Sequence, residues 1–492
     1  MTEFFVIAIY VTFATLFCVF GIFAFGFTQS IAHRAERSQL RLIFLLLGFG
    51  VAFSNLATGR NLALVGKSIQ ELYVAQTPYS AIGEKLITLA IFFYCLCACF
   101  ERIWHSAMQQ RRTPDGRGGW SWVVLLFVLT NGFISGFFGE HPRASFGLLY
   151  PLPVLLLIVL DDRGGRQQLI VGLRNACLLI VYAGLLALVL RKDLVLEGGF
   201  KGALAFFPFR YWGALSHANA LGGLSVLTAI LMYAAPFQRT SFSIIGWSAT
   251  LLSLLLSQSK TAILGMFAVV VVLVIYRVFK GLGSRSLSAM PVGRLFSMIA
   301  LFLAIIIALV GAAVLGDKLF SDLEAQGKQG LSILTLSGRV SIWFEVIKDW
   351  QNNPIFGYGP DFLDVEHRLR LGMLFAFHAH NQFIQTLGQS GLVGLFGLLV
   401  FLGWAIYFSI KAAAETRGAS IALMALILVR CLTEVPLRSG GLLSAEFVSL
   451  AAWVALVRPW RHNEKHAVVD RLNNAGPIVR TKSFDGGGGA RC

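Results

Sequence analysis

Apolar runs of about 20 residues recur along the whole chain, and a hydrocarbon core of roughly 30 Å demands runs of that length. This feature limits the fold more than any other. Inside a bilayer no water is present to satisfy backbone N–H and C=O groups, so each run must pair its own backbone as a helix or close into a barrel. A barrel would alternate polar and apolar residues, and these runs are continuous. Of 492 residues, 56% are hydrophobic and 13% charged, which no soluble globular chain of this size shows. The expected fold class is all-α, a polytopic transmembrane helical bundle of about 12–13 spans. The runs fall near 4–27, 41–58, 85–101, 120–138, 146–160, 169–190, 212–235, 242–256, 262–276, 295–316, 391–410, 419–433 and 441–457. Residues 4–27 lack a basic leader and a small-residue cleavage site and read as a retained first helix.

A formal charge of +16 would suit a nucleic-acid partner, but the basic residues gather in short loops between spans. Arg34, Arg37, Arg102, Arg111, Arg163, Arg166, Arg239, Arg277, Lys411 and Arg417 fall in alternate connections, which marks those as cytoplasmic. The basic tail from Arg458 is Gly-rich near its end and reads as disordered. The seven cysteines sit mainly in spans and suggest no disulfide framework. The expected organisation is N-terminal spans over 1–316, an outer loop over 317–379, C-terminal spans over 380–458 and a tail over 459–492. No internal repeat of the kind common in transporters is visible.

The outer loop is the longest polar interruption and should carry the chemistry. Ser337 can cap a helix in which Val340, Trp343, Phe344, Ile347 and Trp350 follow a helical period. Such a helix suits the membrane surface, with its tryptophans at headgroup depth. Asn353-Pro354 stops it and Gly357-Tyr358-Gly359-Pro360 turns the chain. A second helix is expected from about His380, with Phe383, Ile384 and Leu387 on one face.

Four cations fall on the outer side, where loop-charge bias gives no reason for them: Lys260, Arg339, Arg210 and Arg191. Each has a plain reading. Lys260 would snorkel, Arg339 would be a surface cation, and Arg210 and Arg191 would anchor span ends. Taken together they suit an anionic lipid diphosphate, which guanidinium groups grip through paired hydrogen bonds. His380 is the candidate proton acceptor, because an imidazole titrates near neutrality; its plain reading is a helix cap. His378 lies two residues away. If that stretch is extended, His378, His380 and an acid such as Asp361 or Asp364 form a candidate metal set without a diagnostic spacing. Glu434 and Arg438 would orient His380 or the acceptor, or simply pair with each other.

His380-Asn381, nine residues, then Gly391-x-x-Gly394 resembles the signature of the O-antigen ligase and Wzy-type polysaccharide polymerase superfamily. Ser337-Gly338-Arg339 with Trp343, and Pro354-Ile355-Phe356-Gly357-Tyr358-Gly359, resemble it as well, as do His217-Ala218-Asn219-Ala220 and Ser259-Lys260-Thr261. The likeness covers roughly residues 212–438. It implies a multi-pass inner-membrane glycosyltransferase working on the periplasmic face, with a glycan on undecaprenyl diphosphate as donor and a glycan or lipid A core as acceptor. Polysaccharide-assembly proteins would be further partners, and no cofactor or metal is implied. His380 would be the base, supported by Asn381. Arg339 would be a diphosphate clamp. Lys260 would stand where ligases carry arginine, which favours an exopolysaccharide or O-antigen polymerase over a ligase. A glycolipid transporter or flippase, and a scaffold for an assembly complex, are the competing classes.

Overall fold

The computed structural model describes residues 39–58, 60–62, 77–108, 118–143, 149–160, 165–198, 208–282, 339–373, 376–438 and 441–458. The expected spans at 4–27 and 295–316, the Ser337 cap and the tail from 459 lie outside them. All described residues belong to one compact unit ending at Arg458.

The described elements are almost all helical. They are α1 (Gln39–Leu56), α2 (Pro78–Met108), α3 (Gly118–Val128), α4 (Ser135–Phe138), α5 (Pro151–Leu160) and α6 (Gly165–Leu190). After a hairpin come α7 (Ala218–Ala234), α8 (Thr240–Leu256) and α9 (Lys260–Leu282). The remainder is α10 (Arg339–Trp350), α11 (Val365–Arg370), α12 (Gln382–Lys411), α13 (Ala419–Thr433) and α14 (Ala445–Val457). Among the described residues, four helices are long and apolar enough to cross a membrane by themselves, and shorter apolar helices accompany them. The chain is a multi-pass, all-α membrane protein. Leu45, Phe100, Phe267 and Phe396 stay exposed. In water that would be costly, but it is the expected outer face of a bundle in lipid.

Polar contacts collect at two ends of the described helices. At one end Arg166 pairs with Glu415 at 2.8 Å and bonds the Arg458 carbonyl. There too the Tyr233 hydroxyl donates to the Arg417 carbonyl at 3.0 Å. At the other end lie the entry to α7, the α8–α9 corner, the entry to α12 and the exit from α13. The candidate site is built at that end.

Two local structures depart from the sequence expectation. Leu196–Gly198 (β1) and Phe209–Tyr211 (β2) pair antiparallel, with Glu197 opposite Arg210. Arg60 clamps the chain on both sides of the pair by donating to the carbonyls of Leu194, Gly213 and Leu215 at 2.7, 2.7 and 2.6 Å. Between α3 and α4, Leu129–Ile134 forms a π-helix, a widened turn of the kind frequent near functional sites.

The π-helix packs on a break in α12. Gly391 has φ 60 and ψ −157 inside that helix, a region open essentially to glycine alone. The break lets the Asn353–Pro360 turn lie against α12. Tyr358 and Gly359 N–H groups donate to the carbonyls of Gly388 and Gln389 at 2.9 and 3.0 Å. Leu392 and Val393 donate back to Pro354 and Ile355 at 2.9 and 3.1 Å. The two glycine motifs thus meet as one backbone joint.

Both outer-loop helices form. In α10 the buried residues are Ile342 and Val346, while Val340, Phe344 and Ile347 are exposed. The helix carries two apolar stripes, and the one nearer Tyr358, Phe362 and Ala379 packs. At the start of α12, Gln382, Gln385 and Thr386 are buried, whereas Phe383, Ile384 and Leu387 are only partly covered. The glutamines serve backbone donors there. Gln382 Oε1 accepts from Leu437 N–H at 2.9 Å and Gln385 Oε1 from Ala379 N–H at 2.8 Å.

Candidate functional site

Glu434 is the hub. It is the residue after α13, extended at φ −149, with its side chain 4% exposed. A carboxylate so deep in protein is tolerated only with several donors around it. Asn219 Nδ2 donates to Oε1 at 2.6 Å. Arg339 Nη2 lies 3.7 Å from the same oxygen, and Arg339 Nη1 donates to the Thr433 carbonyl at 3.0 Å. Arg339 therefore also closes a free carbonyl at the end of α13.

On the other oxygen, His380 Nδ1 lies 3.2 Å and His378 Nε2 3.7 Å from Oε2. Because an ionised carboxylate can only accept, His380 carries a proton on Nδ1, and in the neutral tautomer Nε2 is then the nitrogen free to accept. His380 is held at φ 50, a left-handed conformation that few non-glycine residues adopt. Asn381 follows in extended form and caps α12, accepting from the N–H groups of Phe383 and Ile384 at 2.9 and 3.2 Å. Trp343 fixes the preceding residue by donating to the Ala379 carbonyl at 2.7 Å. The His378 and His380 rings lie 4.0 Å apart, and His378 Nδ1 accepts from the His380 N–H at 3.2 Å.

Charge and burial set the protonation states. Burial first, and then the neighbouring His380, push the His378 imidazole down to about 3. Burial first, and then Arg210, push His217 down to about 4. Burial alone would raise Glu434. The hydrogen bond from His380 and the electrostatic pull of His378, His380 and Arg339 outweigh it and bring the carboxyl to about 2.

The other expected residues fall as follows. Arg210 is half-buried; its Nη2 donates to Asn219 Oδ1 and its Nε to the Ser257 carbonyl at 3.2 Å. Lys260 is exposed and opens α9, three residues beyond Ser257. Arg438 does not pair with Glu434. It donates to the Phe377 carbonyl at 3.1 Å and so holds the loop leading into His378. Arg191 is not brought to the cluster: it forms an exposed ion pair with Asp193 at 2.9 Å. Asp361 and Asp364 are also elsewhere. Asp361 pairs with Arg143, and Asp364 caps α11.

Glu434 is the acid that joins the histidines. His378, His380 and Glu434 offer three ligand atoms within 4.8 Å of one another, a spacing a metal ion would accept. The hydrogen bonding runs the other way. The His380 N–H occupies His378 Nδ1, so the neutral ring turns a proton, not a lone pair, toward Glu434.

Residues 245–399 match the family model Wzy_C, described as O-Antigen ligase. Over that segment, about a third of its length, the chain is similar to the O-antigen ligase-related superfamily. It is also similar to the exopolysaccharide production protein ExoQ of Rhizobium meliloti (strain 1021), 28% identical over 248 residues, covering 46% of this chain and 54% of that protein. The chain thus matches about half the length of that relative. Within the O-antigen ligase-family segment lie Lys260, Arg339, His378, His380 and the Gly391 joint. Arg210, His217, Asn219, Glu434 and Arg438 lie outside it and reach the cluster through the fold.

Proposed function

We propose that this chain is a glycosyltransferase of the bacterial inner membrane, with its site on the periplasmic face, that moves a glycan from undecaprenyl diphosphate to an acceptor sugar hydroxyl. The observation that carries the reading is the contact of His380 Nδ1 with the buried Glu434 carboxylate beside Arg339, which turns Nε2 away as the nitrogen that can take a proton. The acceptor O–H gives its proton to His380 Nε2 as its oxygen attacks the anomeric carbon. The bond from that carbon to the diphosphate breaks, and its electron pair leaves with the phosphate. Glu434 stabilises the imidazolium as it forms. Arg339 and Arg210 face the charge growing on the leaving group, with Lys260 at the exposed rim. A positioned base contributes about 10²–10⁴-fold, and prearranged cations act on charge that exists only in the transition state. Direct displacement inverts the anomeric centre.

No resident metal is required in this reading, because the cluster already supplies a base and cations. Activity that survives exhaustive chelation supports this; loss that is restored by a divalent ion overturns it. Polymerisation of exopolysaccharide or O-antigen repeats is the favoured reaction. The similarity to a protein named for exopolysaccharide production supports it, as does lysine at position 260. The family description favours a second reading, ligation of lipid-linked glycan to lipid A core. Deleting the gene and reading the cell's glycans separates them. Accumulated single repeats mean polymerase, uncapped lipid A core with long lipid-linked chains means ligase, and unchanged glycans overturn both.

A further inference from the structure

His217 takes no part in the steps above, yet it lies in the same cluster. As N-cap of α7 its Nδ1 accepts from the Asn219 N–H at 3.1 Å. A backbone amide can only donate, so the neutral ring carries its proton on Nε2. The ring packs against Trp212 at 4.8 Å between centroids, and Trp212 is itself held by its indole N–H on Glu197 Oε2 at 2.8 Å. Orientation is therefore fixed from both sides. Asn219 ties this corner to Glu434 and Arg210. His217 is only partly buried, and its Nε2 has no hydrogen-bond partner among the described residues.

An N-cap needs only an acceptor, which serine, asparagine or aspartate supplies better. Histidine adds a donor on the far side of the ring. The geometry points to His217 Nε2–H as a hydrogen-bond donor to a phosphate oxygen of the lipid-linked diphosphate, beside Arg210. This assignment rests on the transferase reading given above. Charge on that oxygen rises as the glycosyl bond breaks, so the bond strengthens toward the transition state. The imidazole stays neutral through the working range, so it donates without competing with His380 for the acceptor proton.

Two substitutions separate donor from cap. His217→Asn keeps an acceptor near the position of Nδ1, preserves the cap and leaves nothing at Nε2. His217→Gln brings an amide NH₂ near the position of Nε2 and weakens the cap. The full-length protein in lipid nanodiscs is titrated with farnesyl diphosphate, with farnesol as uncharged control, and melting is followed in parallel. His217→Asn should bind the diphosphate about tenfold more weakly with unchanged melting. His217→Gln should stay within about threefold of wild type in binding while melting lower. Farnesol binding should not change in either variant. The opposite order, with Asn like wild type and Gln weak, means a cap only and overturns the assignment. Wild type that binds no farnesyl diphosphate overturns the lipid-diphosphate reading and this assignment with it.

Discussion

Glu434 accepts a hydrogen bond from His380 at 3.2 Å, although the two residues lie 54 positions apart and on different helices' ends. The carboxylate fixes which imidazole nitrogen is free to accept, and Asn219 and Arg339 hold the carboxylate in turn. Glu434→Gln keeps the shape but removes the charge that stabilises an imidazolium. Transfer should fall by about 10²-fold or more while the protein still folds. Glu434→Ala should instead destabilise by about 3–5 kcal/mol, because it leaves buried partners uncompensated. Thermal melting beside an in vitro transfer assay reads both. Wild-type rates in the Gln variant would remove Glu434 from the mechanism.

His380→Gln should lose transfer by about 10²–10⁴-fold at normal protein levels. A scaffold needs no proton acceptor, so preserved polysaccharide in that variant would mean the chain assembles other enzymes. Turnover of a lipid-linked repeat without its movement across the bilayer would exclude a pure transporter.

His380 and Arg339 were legible in the sequence because both belong to the long polar stretch that interrupts an apolar chain. Glu434 was harder to rank. An acid at a span end is ordinary, and its weight comes from Asn219 and His378, which sequence alone does not bring to it. Arg191 attracted attention for its side of the membrane, but Asp193, two residues on, already offered a local partner. The β1–β2 hairpin escaped because three-residue strands carry no readable period. The burial of Gln382 and Gln385 at the start of α12 was not legible. Hydrophobic periodicity describes contact with lipid or core, and this helix end packs on loop backbone that needs acceptors. The Gly391 joint was half visible: both glycine motifs were apparent, but not that they touch.

Arg339 uses two guanidinium nitrogens at once, one on the Thr433 carbonyl and one toward Glu434. Lysine keeps the charge but offers a single nitrogen. Arg339→Lys should therefore lower transfer by more than about tenfold and loosen the end of α13. Hydrogen exchange over residues 430–434 and steady-state kinetics measure these effects, and near-normal values in both would count against a forked grip.

Acid should weaken the site in two stages. His217 and His378 are depressed by burial to about 4 and about 3 from an ordinary 6.5. Between pH 6.5 and about 4 the unfolded loops bind more protons than the folded ones, so stability falls as pH falls. Glu434 follows: its contribution is complete above its ordinary 4.5 and is lost as pH drops through about 2. Melting temperature in nanodiscs should decline from pH 6.5 downward, less steeply in His217→Asn. A flat profile over that window would contradict the neutral imidazoles.

Gly391 tests whether the joint between the outer turn and α12 supports the chemistry. A Cβ there would stand 2.3 Å from the Ile355 carbonyl oxygen, and the backbone conformation itself is closed to alanine. Gly391→Ala must straighten α12 or push the Asn353–Pro360 turn away. Either change breaks the paired backbone bonds at 354–359 and 388–393. A cost of about 3 kcal/mol or more is expected from the combined strain and lost bonds. His380 lies eleven residues before the joint on the segment capped by Asn381, so the displacement reaches the base through α12. Transfer should fall even where melting shows folded protein, whereas Gly403→Ala, with open space around its Cβ position, should leave both unchanged. Equal behaviour of the two variants would show that the kink in α12 plays no part in holding the site.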